Sequence, residues 1–369
     1  MTAPLSARLP DFPWDTIADA RARAAAHPGG LCDLSVGTPV DPVPQVAVDA
    51  LAASATSWAG YPTTWGTPAL RAAIRGYLER RWGASGLTDR AVLPVIGTKE
   101  LVAWLPTLLG VGPGEAVMFP TTAYPTYEVG ARLAGADPVP SDDPADVARV
   151  RPRLIWINSP ANPHGAILDR AATAAWVDAA RAAGAVLASD ECYGEFAWDA
   201  EPVSVLDDAV CGGDHTGLLA VMSLSKRSNV AGFRAGWVAG DAAVVTELLD
   251  VRKHAGMMVP GPVQDAMVAL LGDQAHVEEQ RDRYRRRREV LRPALERAGF
   301  RIDHSEGSLY LWASRDEDSR ATVAALAELG ILVAPGDFYG AAGARHVRIA
   351  LTASDERVAE AVRRLAQLA

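Results

Sequence analysis

The segment of this chain best equipped for chemistry is Ser223-Leu224-Ser225-Lys226, followed eight residues later by Arg234. It closes a short apolar run, Leu218–Met222, and a lysine is seldom set beside a core without a role. Such an amine needs either a counter-ion or a covalent partner. Desolvation lowers its pKa and turns it into a Schiff-base nucleophile. The serines Ser223 and Ser225, with the planar donors of Arg234, suit a phosphate. The plain alternative is a solvated lysine on a surface loop, which leaves its neighbours unexplained.

Four other apolar runs end in polar groups of the same kind. Val92–Ile96 ends in Gly97-Thr98-Lys99, and Ala116–Phe119 leads to Tyr124. Leu154–Ile157 ends in Asn158-Ser159-Pro160-Ala161-Asn162, and Val186–Ala188 in Ser189-Asp190-Glu191-Cys192-Tyr193. Open α/β sheets bind ligands outside the carboxyl ends of their strands. Hydroxyl, amide, carboxylate, phenol and amine at five such ends describe a site for a ligand with a phosphate and a ring. A glycine turn opening a helix at Gly97-Thr98-Lys99 presents free N–H groups and a positive dipole end to an anion. Asp190 also suits a helix N-cap, and Tyr193 and Tyr124 also suit core aromatics.

These ends must be held by regular elements. Pro44–Ser54, Thr67–Trp82 and Arg170–Ala183 read as helices alternating with the strand-like runs, the pattern of a largely parallel sheet covered on both faces. After Pro262 the texture changes to helices Val263–Leu271, Gln274–Ala298, Ala321–Leu329 and Glu356–Leu368. Strand-like Ser308–Ala313, Ile331–Ala334 and His346–Leu351 lie among them. The expected division is an arm over 1–44, a large domain over 45–262 and an interdomain helix with a small α+β domain over 263–369. The arm is expected to pack with the small domain.

Composition narrows the class. The 369 residues are 49% hydrophobic, enough for a sizeable core. A net charge of −9 argues against a dedicated nucleic-acid binder. Of 36 Lys plus Arg, only Lys99, Lys226 and Lys253 are lysine. The arginine run from Arg281 to Arg292 alternates with Glu278, Glu279, Asp282 and Glu289, as a salt-bridged solvated helix would. Cys32, Cys192 and Cys211 form no CxxC pair, which points to a reducing compartment and against a zinc ribbon. Met1 to Asp15 lacks the apolar run of a signal peptide, and Leu101–Gly114 is too short and broken to cross a bilayer. A cytoplasmic protein without a bound metal is expected.

The Lys226 segment, read with Val230-Ala231-Gly232-Phe233-Arg234-Ala235-Gly236-Trp237, resembles the pyridoxal-phosphate signature of the fold-type-I, aspartate aminotransferase-like class I/II aminotransferases. The resemblance runs through most of the chain in order. It takes in Tyr61 with Gly66 and Leu70-Arg71, Gly97-Thr98-Lys99-Glu100, Tyr124, Asn158–Gly165, Asp190 to Tyr193, and Arg348 in Val347-Arg348-Ile349. It implies an α/β fold: a large domain on a mostly parallel seven-stranded sheet, plus a smaller α+β C-terminal domain. It also implies pyridoxal 5'-phosphate on Lys226, with Asp190 facing the pyridine nitrogen and Tyr193 and Asn162 donating to the phenolic oxygen. Tyr124 would cover the ring. Gly97, Thr98, Lys99, Ser223, Ser225 and Arg234 would hold the phosphate, with Tyr61 from a neighbouring subunit of a homodimer. Gly37, Asn162 and Arg348 would receive the substrate carboxylate.

Two departures from the family pattern, Ser159 and His164, remove nothing the cofactor needs, and His164 is expected on the solvent side of its loop. Tyr61–Thr67, Ser225–Asn229 and Lys253–Pro260 further resemble the actinobacterial type of N-succinyldiaminopimelate aminotransferase, which uses glutamate as amino donor. A general aspartate or aromatic aminotransferase and an LL-diaminopimelate aminotransferase are the rivals within the fold. Lys99 and Arg227 are the nearest cations by sequence for a distal carboxylate. Ser223-x-x-Lys226 also matches a penicillin-binding type of hydrolase, but no lysine here is followed by the Thr-Gly that chemistry needs. A cofactor-binding regulator would need a DNA-binding extension.

Overall fold

Each apolar run named above is a strand of one seven-stranded sheet in the computed structural model, which describes residues 4–368. Numbered along the chain, β1 (Cys32–Asp33) lies in the arm. The large sheet holds β2 (Val92–Val95), β3 (Ala116–Phe119), β4 (Asp137–Pro140), β5 (Leu154–Asn158), β6 (Val186–Asp190), β7 (Leu218–Ser223) and β8 (Gly236–Gly240). Their order is β2-β8-β7-β6-β5-β3-β4, and only β8 runs against its neighbours. The carboxyl ends of β2, β3, β5, β6 and β7 therefore lie along one edge. β5 and β7 are buried throughout because helices cover both faces of the sheet. Trp156, Tyr127 and Leu105 fill one side, and Trp237, Tyr77 and Trp176 the other.

Within the large sheet, two strands were not expected individually from the sequence. β4 carries Pro138 and Pro140 and is tolerated because it lies at the sheet edge, where missing N–H donors cost least. β8 runs from Gly236 to Gly240 and begins at the end of the segment that reads as a signature.

The C-terminal part forms an antiparallel sheet of β9 (Arg301–Asp303), β10 (Tyr310–Ser314), β12 (Ala334–Pro335) and β13 (Val347–Ala350), in the order β12-β13-β10-β9. The single strand expected over 331–334 is split at Val333. β11 (Ile331–Leu332) pairs in parallel with β1, whereas β12 pairs with β13. The arm is thus stitched to this part, and its helix Ala18–Ala25 packs on helix Ser319–Glu328. Helix Gly261–Gly272 packs instead on Gln45–Ser54 and Pro68–Trp82, with Met267 and Leu270 in the large core. The Thr-Pro start of Pro68–Trp82 works as read: Pro68 needs no donor, and Thr67 Oγ1 accepts from Leu70 N–H at 3.1 Å.

Helix Ala275–Arg297 carries the arginine run. Arg283 pairs with Glu279, Arg285 with Asp282 and Arg292 with Glu296, while Arg287 reaches Asp41 and Asp355. All three cysteines are free thiols. Among the described residues no helix is long and apolar enough to cross a membrane.

Candidate active site

The polar strand ends surround a cavity of about 930 Å³ between the large sheet, the arm and the C-terminal part. At the end of β2, Gly97 caps helix Thr98–Leu108 with φ +88°, and a Cβ there would come within 2.1 Å of Arg234 Nη2. Only glycine lets the guanidinium lie against this turn. At the end of β7, Ser223 Oγ accepts from Ser225 N–H at 3.0 Å, starting a one-turn helix that carries Lys226 into the cavity. Arg234 Nη1 donates to Ala231 O at 2.8 Å. Thr98, Ser223, Ser225 and Arg234 all line the space beside the helix start, a composition suited to a phosphate.

Asp190, Lys226 and Arg348 face the inner part of the cavity without a counter-ion among the described residues. Asp190 is buried at the end of β6, accepting from Tyr127 Oη–H at 2.9 Å and Cys192 N–H at 3.2 Å. Burial pushes its carboxyl above the usual range despite those two donors. It caps no helix. Lys226 Nζ donates to the backbone oxygen of Gly37, which the arm brings over the cavity. Burial, helped by the charge of Arg348, lowers its amine to about 8. Arg348, buried on β13, donates from Nη1 to Asn162 Oδ1 at 2.8 Å and from Nη2 to Ser35 O at 2.7 Å. Its Nε is buried with no partner. Uncompensated buried charge is destabilising, so the set calls for a ligand bearing the opposite charges. It needs an anion for Arg348 and a cationic N–H for Asp190.

The remaining side chains are positioned by short polar braces. Asn158, the last residue of β5, donates to Asp190 O at 2.7 Å and accepts from Asn162 N–H at 2.7 Å, so it ties the loop to β6. Ser159 Oγ accepts from Leu168 N–H at 2.9 Å across the same loop. Tyr193 Oη lies 2.9 Å from Tyr310 Oη. Tyr124 lines the cavity edge-on to Tyr127, and burial raises its phenol to about 12. At the mouth, Lys99 Nζ sits 5.5 Å from the ring centre of Phe12, and Trp14 packs on Phe338 at 4.8 Å.

The cavity thus gathers Gly37, Thr98, Lys99, Tyr124, Asn162, Asp190, Tyr193, Ser223, Ser225, Lys226, Arg234 and Arg348, with Gly97 directly behind Arg234. Tyr61 is not among them: it is 97% exposed on the surface of the chain. Arg227 also departs from expectation. It turns away from the cavity into a buried pair with Glu195 at 3.3 Å and donates to Leu270 O, so it serves packing. His164 is half-buried in its loop, away from the cavity; burial and the neighbouring His304 lower its pKa to about 4. Tyr127 and Tyr310 are site residues that no motif singled out. The residues present fit pyridoxal phosphate: an unpartnered guanidinium donor on Arg348 suits a substrate carboxylate, the uncompensated Asp190 carboxylate a ring nitrogen, and the glycine turn at Gly97 a phosphate.

Comparison with known proteins agrees. Residues 30–365 match the family model of class I and II aminotransferases. A probable aminotransferase of Mycobacterium tuberculosis is 59% identical over 98% of this chain and 86% of its own length. The 4-dedimethylamino-4-oxo-anhydrotetracycline transaminase OxyQ of Streptomyces rimosus is 58% identical over 97% of this chain and 99% of its own. The structure of N-succinyldiaminopimelate aminotransferase from M. tuberculosis superposes with a TM-score of 0.88 at 26% identity, covering 100% of both chains. With its polar strand ends, its lysine and its buried arginine arranged in this way, the chain belongs to the class I and II aminotransferases, which depend on pyridoxal phosphate.

Proposed function

We propose that this aminotransferase takes an amino group from glutamate and delivers it, through the same site, to N-succinyl-2-amino-6-ketopimelate, forming N-succinyl-LL-diaminopimelate. The observation that carries the reading is the unpaired charge set: Arg348 deep in the cavity for an α-carboxylate, and Lys99 at the mouth with no ion pair among the described residues. The cavity of about 930 Å³ has to take cofactor and substrate together, and its lining runs from Arg348 to Lys99, which suits an acyl amino acid with a carboxylate at each end. The resemblance to the actinobacterial succinyldiaminopimelate enzymes supports the same acceptor.

Pyridoxal phosphate, when bound, withdraws electrons from the substrate Cα and makes its proton acidic. Lys226 Nζ takes and returns that proton; an amine titrating near 8 has the basicity for it close to neutral pH. Asp190 holds the proton on the ring nitrogen. Tyr193, and Asn162 through its amide N–H, donate to the phenolic oxygen. Thr98, Ser223, Ser225, Arg234 and the helix start at Gly97 bind the phosphate, and Tyr124 shields the ring from water. Arg348 grips the α-carboxylate with a bidentate fork beside the Gly37 backbone. A second copy of the chain supplies Tyr61 in a homodimer.

A second reading is favoured by one feature, the aromatic wall of Phe12, Trp14 and Phe338 at the mouth. It suits a bulky ring ketone, the kind of substrate named for the relative OxyQ. The test loads the holoprotein with glutamate and measures kcat/KM for the succinylated keto acid, its unsuccinylated analogue, oxaloacetate, phenylpyruvate and a tetracyclic ketone. The proposal expects the succinylated acid to lead by about two- to fivefold, the scale of one exposed distal ion pair. Preference for the ring ketone would replace it with the second reading.

A further inference from the structure

Tyr310 has no part in the chemistry above, yet it touches three of the groups that do. It lies on β10 with its ring beneath the Arg348 guanidinium at 4.0 Å, and its hydroxyl is 2.9 Å from that of Tyr193. The two rings meet edge to face at 5.6 Å and both residues are buried. The arm closes over the same hydroxyl: a Cβ on Gly37 would lie 2.0 Å from it, and Gly37 O in turn receives Lys226 Nζ. Among the described residues neither hydroxyl has another hydrogen-bond partner. One proton is therefore shared between the two oxygens and the other must point elsewhere.

The surroundings decide which. A cation over the face of a phenol draws electron density from its oxygen and makes that hydroxyl the better donor. Arg348 sits over Tyr310 and not over Tyr193. We propose that Tyr310 is a positioning residue: it donates to Tyr193 and so fixes the direction in which Tyr193 gives its own proton, toward the cofactor's phenolic oxygen. This rests on the role proposed for Tyr193. A donor that itself accepts a hydrogen bond is strengthened, so Tyr310 also tightens the contact it orients. Because the same ring lies under Arg348, the group that receives the substrate carboxylate and the group that polarises the cofactor share one side chain.

The test is a pH titration of the visible absorbance of bound cofactor in holoprotein, for wild type, Tyr193→Phe, Tyr310→Phe and the double variant. The phenolic oxygen gains negative charge as the cofactor loses its proton, so removing a donor to it raises the titration midpoint. Tyr193→Phe should raise it by about one pH unit, the scale of a hydrogen bond to a charged group. Tyr310→Phe should raise it by about 0.1–0.3 unit, the share that cooperative strengthening supplies. The double variant should match Tyr193→Phe alone. Tyr310→Phe keeps the ring, so KM for glutamate should stay within about twofold. A Tyr310→Phe shift that adds to that of Tyr193→Phe, or no shift at all with a raised KM, would overturn the proposal and leave Tyr310 a packing residue. An unmoved midpoint in Tyr193→Phe would instead remove the Tyr193 role, and the proposal with it.

Discussion

Asp190→Asn should pull stability and turnover in opposite directions. The carboxylate is buried at the end of β6, accepts from Tyr127 Oη–H and Cys192 N–H, and among the described residues pairs with no cation. Its folded pKa lies above the ordinary carboxylate value, so the folded apoprotein holds more protons than the unfolded chain in the window between the two. Apoprotein stability is therefore greatest below that window and falls as pH rises through it. Asn keeps an oxygen for Cys192 N–H and turns a donor toward Tyr127, whose hydroxyl then accepts. Neutralising the carboxylate should stabilise the apoprotein at neutral pH by about 1–2 kcal/mol, the scale of relieving a poorly compensated buried polar group. That is a rise of roughly 1–3 °C in Tm for a chain of this length. Cofactor binding reverses the advantage, because only wild type offers a charge to the ring nitrogen. Turnover should drop at least about a hundredfold, the cost of losing one preorganised electrostatic partner. Thermal unfolding of apo- and holoprotein at pH 5 and pH 7.5, with steady-state turnover, measures all of it. A variant apoprotein less stable than wild type at pH 7.5, or turnover within a fewfold, would refute the reasoning.

Arg348→Lys keeps the charge but loses the bidentate fork and the donors to Asn162 and Ser35, and kcat/KM for both glutamate and the keto acid should fall about a hundredfold. Equal KM values in variant and wild type would place the carboxylate elsewhere. Lys99→Met should penalise acceptors with a distal carboxylate about two- to fivefold and leave alanine nearly unaffected, as expected for an exposed cation; equal losses on both would remove Lys99 from substrate recognition. Mixing Tyr61→Phe with Lys226→Ala protein should yield hybrid dimers with one intact site and recovered activity, whereas an active monomer in sedimentation would contradict the shared site.

Much of this site was legible because its residues close apolar runs. Asp190 ends β6; Lys226, Asn162 and Thr98 come within four residues of the ends of β7, β5 and β2, and parallel strands deliver their ends to one edge. Arg348 was visible only through resemblance, since it sits inside β13, where nothing in the spacing sets it apart. Tyr310 was not legible at all: every residue of β10 is buried, so no alternation tells which side chains face the cavity. β4 was hidden by its two prolines, and the orientation of Arg227 depends on Glu195, a partner far away in sequence. The break at Val333 could not be read from an unbroken apolar run, because it arises when the arm claims β11 and leaves β12 to β13.

Borohydride reduction of the holoprotein followed by peptide mass mapping tests the central claim most directly. Only three lysines exist, and Lys226 alone is desolvated in the cavity with a lowered pKa. The account predicts one cofactor adduct, on the peptide containing Lys226, with loss of the visible band in Lys226→Ala. An adduct on Lys99 or Lys253, or a retained band in Lys226→Ala, would contradict it.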